Sequence, residues 1–300
     1  MNDRTRGTAE MTAAMLISGT IGWFVVLSGQ PVLAVVFWRC VFGAITLLII
    51  CAAMGLLRDE RLTKRASALA IIGGVAIVVN WLLLFASYSR ASISIATAVY
   101  NTQPFMLVGL GALLLGERIT ATALTWLAVA FAGVLLIVQA KGGVSDGISG
   151  SDYFIGIALA LGAAFFYAIA AIAAKKLKGV PPHLIALIQV GVGIVMLAFF
   201  VDFGQLPDDA KSWSILITLG VVHTGLMYIL LYSAIQRLPT NLIGSLSFIY
   251  PICAILVDYV AFGHRLHATQ IVGATLILIA AAGMNLGWTI WKAAPAREIK

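Results

Sequence analysis

The sequence predicts an all-α integral membrane protein, with ten transmembrane helices arranged as two inverted-topology repeats of five. Three observations carry this expectation. Apolar stretches of bilayer length alternate with short polar turns, Lys and Arg fall unevenly between those turns, and the chain repeats itself without a gap at an offset of 147 residues.

The first observation is one of composition. Of the 300 residues, 61% are hydrophobic and 10% charged, with a mean hydropathy of +1.03. A water-soluble globule must cover itself with charge, so this balance excludes one. The charges cluster and leave apolar runs of about 20 residues, the length a helix needs to cross hydrocarbon.

The spans follow in order. Span one, 9–28, is too long for a cleaved signal peptide and runs on into Pro31 and a second span. Span two, 32–57, carries Arg39 inside its outer end. A guanidinium at that depth must snorkel, pair or face water. It either receives a substrate carboxylate or anchors the turn after span one through backbone carbonyls. Span three, 66–89, places Asn80 and Trp81 near the midplane. Span four, 92–115, contains "TAVYNTQPFMLVG", where Tyr100, Asn101, Gln103 and Pro104 interrupt an apolar run. Tyr100 and Gln103, three residues apart, share a helical face with Pro104, while Asn101 points elsewhere. Span five is 120–138.

Span six, 154–174, offers "AAFFYAIAA". Three consecutive aromatics cannot all face one way, so at least one faces the centre, with Phe165 and Tyr167 as candidates. Span seven is 183–201. Span eight, 213–235, holds His223, with Met227 and Tyr228 one turn on. A lone histidine there either partners a neighbouring helix or lines a pocket. Span nine, 240–262, contributes Ser245, Phe248, Tyr250 and Pro251, and span ten is 267–291. Cys40, Cys51 and Cys253 all lie within spans, without the spacing of a disulfide framework or metal cluster. No metal, cofactor or obligate protein partner is expected. The net charge of +7 points to anionic lipid headgroups rather than nucleic acid.

Orientation is the second observation. With the N-terminus in the cytoplasm, fourteen of the nineteen Lys and Arg fall on the cytoplasmic side and four outside, with Arg39 inside a span. That bias favours both termini in the cytoplasm.

The third is the repeat. Gly73 aligns with Gly220, Arg90 with Arg237, Pro104 with Pro251, Gly116 with Gly263 and Arg118 with Arg265, while Leu83-Leu84 aligns with Leu230-Leu231. The repeats occupy 1–142 and 150–300, joined by the Gly- and Ser-rich "QAKGGVSDGISGSD". Five spans per repeat is odd, so the second half enters the membrane inverted, the geometry of alternating access. Pro104 and Pro251 fall near mid-membrane in their spans. Loosened backbone is tolerated there only when buried in protein or lining a wet cavity, so the pair marks a cavity and a candidate hinge.

The segments "PVLAVVFWR", "TQPFMLVGLGALLLGERIT" and "IYPICAILVDYVAFGHRLH" resemble the paired repeats of the drug/metabolite transporter superfamily, specifically its ten-helix EamA branch. The resemblance covers nearly the whole chain. It departs at one point: Gly116-Glu117 becomes Gly263-His264 in the second half. Within that branch the resemblance is to exporters of aromatic and other neutral amino acids in the bacterial inner membrane, and it favours a structural role for Arg39 slightly over a binding one.

The expected function is export of such amino acids, or similar amphipathic metabolites, by alternating access. Asn80, Trp81, Tyr100, Gln103, Phe165, Tyr167, His223, Met227, Tyr228, Phe248, Tyr250 and Arg39 are the candidate substrate contacts. No Asp or Glu lies near the midplane, which disfavours strong proton coupling. The alternative is a broad drug or quaternary-cation exporter using cation–π contacts. An intramembrane hydrolase pairing Ser245 with His223 lacks a G-x-S-x-G turn, so the chain is not expected to be an enzyme.

Overall fold

The computed structural model describes residues 2–58, 62–91, 96, 99–139, 150–204, 206–262 and 268–288. Most of the linker, Gly263-His264, Arg265 and the segment after Trp288 lie outside the described residues, as does the side chain of Asp258. Among those described, the regular structure is helical throughout. In chain order the helices are α1 (Asp3–Ser18), α2 (Ile21–Leu27), α3 (Val32–Ala53), α4 (Lys64–Ala91), α5 (Gln103–Leu115), α6 (Ala121–Gln139), α7 (Gly150–Lys176), α8 (Pro182–Leu197), α9 (Ala210–Gly220), α10 (Met227–Arg237), α11 (Thr240–Ser247), α12 (Ile249–Phe262) and α13 (Ala268–Leu286). A π-helical segment, Val221–Leu226, joins α9 to α10.

Among the described residues, five stretches are long and apolar enough to cross a membrane: Asp3–Leu27, Val32–Ala53, Lys64–Ala91, Asp152–Lys176 and Ala210–Arg237. Five shorter apolar helices fall on the remaining predicted spans. Large apolar side chains such as Leu113, Val195, Phe199 and Val260 stand exposed on the outside of the bundle, as they do on a surface that meets lipid.

Four of the spans are not simple rods. Span one breaks at Gly19-Thr20 between α1 and α2, and span eight widens into the π segment. In span four, Asn101 and Thr102 form a turn and α5 starts afresh at Gln103, so Pro104 is its second residue. In span nine the chain turns at Phe248 and Pro251 is the third residue of α12. The candidate hinge prolines therefore stand at helix starts and not within continuous helices. The prolines open new helices, at positions whose missing N–H would have no intrahelical partner anyway, and the interruption lies just before them.

The heaviest packing runs between the halves: α4 against α7, α6 against α13, α3 against α8, and α1 against α10. Glycines set the closest approaches. A Cβ on Gly220 would lie 2.3 Å from Phe42 Cβ and 2.9 Å from the Gly43 backbone nitrogen, so α3 touches the start of the π segment backbone to backbone.

At the end where α1 and α4 begin, one polar cluster ties the halves together. Glu10 of α1 accepts from Ser233 Oγ at 2.6 Å and lies 3.5 Å from Arg237 Nη1. Lys175 donates to the Leu238 carbonyl and pairs with Glu117 at 3.1 Å. Glu117 also accepts from the Thr240 backbone N–H at 3.0 Å and from the Thr240 hydroxyl, capping α11. Burial raises the Glu117 pKa, but the Thr240 hydrogen bonds and Lys175 together hold it below the ordinary carboxylate value. Gly116 precedes it because the end of α5 needs a left-handed residue, here at φ 67°.

Candidate functional site

A cavity of about 620 Å³, counting its open part, lies between the halves. Span one contributes Met15, Ser18, Ile21 and Gly22; span two contributes Arg39; span three contributes Asn80, Trp81, Leu84, Phe85 and Tyr88. Spans four, six, eight and nine complete it with Tyr100 and Gln103, Tyr167, Met227, Tyr228 and Leu231, and Tyr250.

The repeat builds this wall. Asn80 and Met227, Trp81 and Tyr228, Leu84 and Leu231, and Gln103 and Tyr250 are each separated by the repeat offset, and all line the cavity. Trp81 and Tyr228 also touch directly: the indole Nε1 donates to the Tyr228 hydroxyl at 3.0 Å across 147 residues, with the rings edge-on at 5.6 Å. Two equivalent residues of a twofold-related pair can meet only beside the axis that relates them. This pair therefore marks the pseudo-axis, and the cavity surrounds it.

Hydrogen bonds fix the polar lining. Asn80 Nδ2 donates to the Ala163 carbonyl at 2.7 Å and to the Tyr100 hydroxyl at 3.3 Å, so the side chain both joins α4 to α7 and orients a cavity tyrosine. Tyr100 stands edge-on to Tyr167, with ring centroids 6.3 Å apart. Ser18 Oγ donates to Met227 Sδ at 3.0 Å. The buried amide oxygen of Gln103 has no hydrogen-bond partner. Among the described residues, none that lines the cavity carries a negative charge.

Arg39 is completely buried. Its guanidinium carbon lies 4.1 Å from the centroid of the Trp81 ring, while Nε donates to Thr224 Oγ1 at 3.1 Å and Nη2 to the His223 carbonyl at 3.2 Å. It does not anchor the turn after span one; its backbone acceptor is on span eight. The cause is the π segment. There the Met227 N–H reaches back to Val222 O, and the His223 carbonyl accepts from Arg39. Thr224 Oγ1 meanwhile donates to Leu219 O at 2.8 Å. Nη1 of Arg39 has no partner.

Three sequence-based candidates lie off the cavity. His223 turns to span one, where its Nε2 lies 2.7 Å from Thr20 Oγ1 and its ring 4.8 Å from that of Phe24. It serves as an interhelical partner. Phe248 is fully buried in the core at the turn between α11 and α12. Phe165 is 45% exposed on the outer face of α7: with about 100° per residue, turning Tyr167 inward carries Phe165 to the opposite side. Ser245 reaches the Ala280 carbonyl at 3.5 Å and has no hydrogen bond with His223, so the hydrolase pair does not form.

Span one was expected at the cavity, but residue-by-residue reading named none of its lining residues, nor Leu84, Phe85, Tyr88 and Leu231. The signal for two of these was the Leu83-Leu84 to Leu230-Leu231 match, which places leucines beside the Trp81 and Tyr228 positions on both sides of the axis. Nothing in the apolar run around Met15 and Ile21 marks it as a cavity wall.

Comparison with known proteins agrees with this architecture. The EamA-like transporter family matches twice, over residues 7–139 and 154–286, one match per repeat. An uncharacterized transporter, YxxF, of Bacillus subtilis is 30% identical over 290 residues, covering 95% of this chain and 91% of that protein. A probable amino-acid metabolite efflux pump of Escherichia coli is 27% identical over 198 residues, 61% of this chain and 64% of that protein. A crystal structure at 21% identity superposes with a TM-score of 0.79, covering 93% of this chain and 98% of the other, and so shares the fold. With both repeats matched and a relative aligned along nearly its full length, the chain belongs to the EamA-like transporter family of the drug/metabolite transporter superfamily.

Proposed function

We propose that this multi-pass membrane transporter crosses the bacterial inner membrane ten times, with both termini in the cytoplasm, and exports aromatic and other neutral amino acids by alternating access. The observation that carries the reading is the cavity itself. It is walled by equivalent residues of two inverted halves, rich in tyrosine, and uncharged apart from Arg39. Aromatic walls take an apolar side chain, and Asn80, Gln103 and the tyrosine hydroxyls suit the polar ends of an amino acid. The Escherichia coli relative, named as a probable amino-acid metabolite efflux pump, supports the same substrate class. A buried guanidinium with no acidic group in the wall speaks against a quaternary-cation exporter, because like charges repel across a low dielectric.

Among the described residues, no carboxylate lines the cavity and His223 turns away from it, so these residues offer no proton relay. Transport is expected to run down the substrate gradient. The test is uptake of a panel of labelled amino acids into proteoliposomes, with and without an imposed pH gradient. Phenylalanine and other neutral amino acids should equilibrate with or without the gradient. Accumulation against a substrate gradient, driven by the pH step alone, would overturn the uncoupled mechanism. Failure of every amino acid in the panel would overturn the substrate class.

A further inference from the structure

We infer that Arg39 is the receptor for the carboxylate of the substrate, and that occupancy of this receptor is passed to the π segment of span eight through the same guanidinium. The inference rests on the amino-acid exporter reading and specifies which part of the amino acid is obligatory.

The first argument concerns charge. A guanidinium remains protonated at any working pH. This one is wholly buried, yet among the described residues it forms no ion pair, and no acid lines the cavity beside it. The Trp81 ring shields one face without neutralising it. A buried cation with no counter-charge is strongly disfavoured, and in a carrier the missing anion is supplied when the substrate arrives.

The second argument concerns donors. Nε and Nη2 are committed to Thr224 and His223, while Nη1, a buried N–H group of a cavity-lining side chain, has no acceptor. The partnerless Gln103 amide oxygen lines the same cavity and offers an acceptor of the kind an ammonium group needs. A donor without an acceptor and an acceptor without a donor, in a cavity of tyrosines, form a complementary set for a zwitterion with an apolar side chain.

The third argument concerns connectivity. The carbonyl and hydroxyl that Arg39 holds belong to His223 and Thr224, and the His223 ring is bonded to Thr20 at the break in span one. A carboxylate on Nη1 thus engages the planar group that already clasps the irregular turn of span eight, whose His223 ring in turn meets the break in span one. At the equivalent position of the second half stands Ala186, so the cavity has one such receptor and the coupling is one-sided.

The wild-type protein tests the recognition step without any substitution. In proteoliposomes transporting labelled phenylalanine, 3-phenylpropionate should compete within about tenfold of phenylalanine. Phenylalanine amide and phenethylamine, which lack the carboxylate, should compete at least tenfold more weakly than phenylalanine. Coupling is read by hydrogen–deuterium exchange of residues 218–228, which phenylalanine should slow and the amide should not. Arg39→Lys keeps the charge but loses the fork, and should raise the KM for phenylalanine at least tenfold. A purely structural clasp would instead lower the folded yield and leave the KM of the folded fraction unchanged. If phenylalanine is transported but its amide competes equally well, the carboxylate receptor is refuted and the exporter reading stands. If 3-phenylpropionate fails to compete, the carboxylate is not the dominant element and the inference also falls. If exchange in 218–228 does not respond to phenylalanine, the coupling is refuted. If no amino acid is transported, both readings fall.

Discussion

The two sides of the pseudo-axis are built from equivalent spans and have opposite interiors. On one side α1, α2 and the π segment meet through Thr20, His223 and Thr224, with Arg39 bonded to the last two; both spans are irregular there. On the other side the equivalent positions are Tyr167, Ala76, Ile77 and Ala186. There α7 and α4 run unbroken for 27 and 28 residues, and their contact is among the heaviest in the molecule. The difference teaches where regularity comes from. Apolar side chains leave the backbone no partner but itself, whereas Thr, His and Arg offer backbone carbonyls competing donors and stabilise a widened turn. At these positions the duplicated fold carries a bonded polar group on one side, while on the other it carries Ala, Ile and a tyrosine and keeps its helices continuous.

The largest effect should come from the glycine pair that brackets this contrast. Gly220→Ala drives a Cβ into Phe42 and the backbone of Gly43, and should cost about 3 kcal/mol or abolish folding. Its repeat partner Gly73 faces chiefly the tip of the Gln189 side chain, 2.5 Å from a built Cβ. Gly73→Ala should cost about 1 kcal/mol, since the tip of a flexible side chain shifts more readily than backbone. Melting temperatures of the two purified variants decide this, and equal losses would mean that the two sides are packed alike.

Next in size is the polar hub. Thr20→Val and His223→Ala each remove one side of a single bond, so the double variant should lose about 1 kcal/mol less than the sum of the singles. Transport should slow several-fold in all three. Additive losses would show that the contact is incidental.

A smaller effect is expected at the polar cluster that closes the end where α1 begins. Glu117→Gln removes the Lys175 pair and weakens the cap on α11, for about 1 kcal/mol or less. The pH dependence has a definite sign. The folded-state pKa of Glu117 lies below its unfolded value, so its contribution is present above the ordinary carboxylate pKa. It is lost as pH falls through the lowered folded value. Wild type should lose stability on acidification in that range more steeply than Glu117→Gln, measured as melting temperature against pH.

The smallest stability change belongs to the prolines. Because Pro104 and Pro251 begin helices, Pro104→Ala and Pro251→Ala should each shift stability by about 0.5 kcal/mol or less. If the turns before them act as hinges, initial transport rates should fall while melting temperatures hold. Lower melting temperatures with normal rates per folded molecule would make the prolines static elements.

The sequence by itself determined the helical class, the positions of the apolar spans and the duplication, because bilayer length and a gapless register are local, countable properties. It also determined most of the cavity's polar wall: Asn80, Trp81, Tyr100, Gln103, Tyr167, Met227, Tyr228, Tyr250 and Arg39 all line it. Polar groups inside apolar spans have few places to go. Only the tertiary structure decided direction and partnership. The facing of Phe165 depends on which neighbour in the FFY triplet turns inward, and helical phase is invisible when every face is apolar. His223 left the cavity because Thr20, two hundred and three residues away, offered a better bond. The π segment has no propensity signature, and its His223 carbonyl meets Arg39, a donor 184 residues away, only in the folded chain. A sequence shows which groups need partners in hydrocarbon, but the partners are chosen by helices that meet only once the chain has folded.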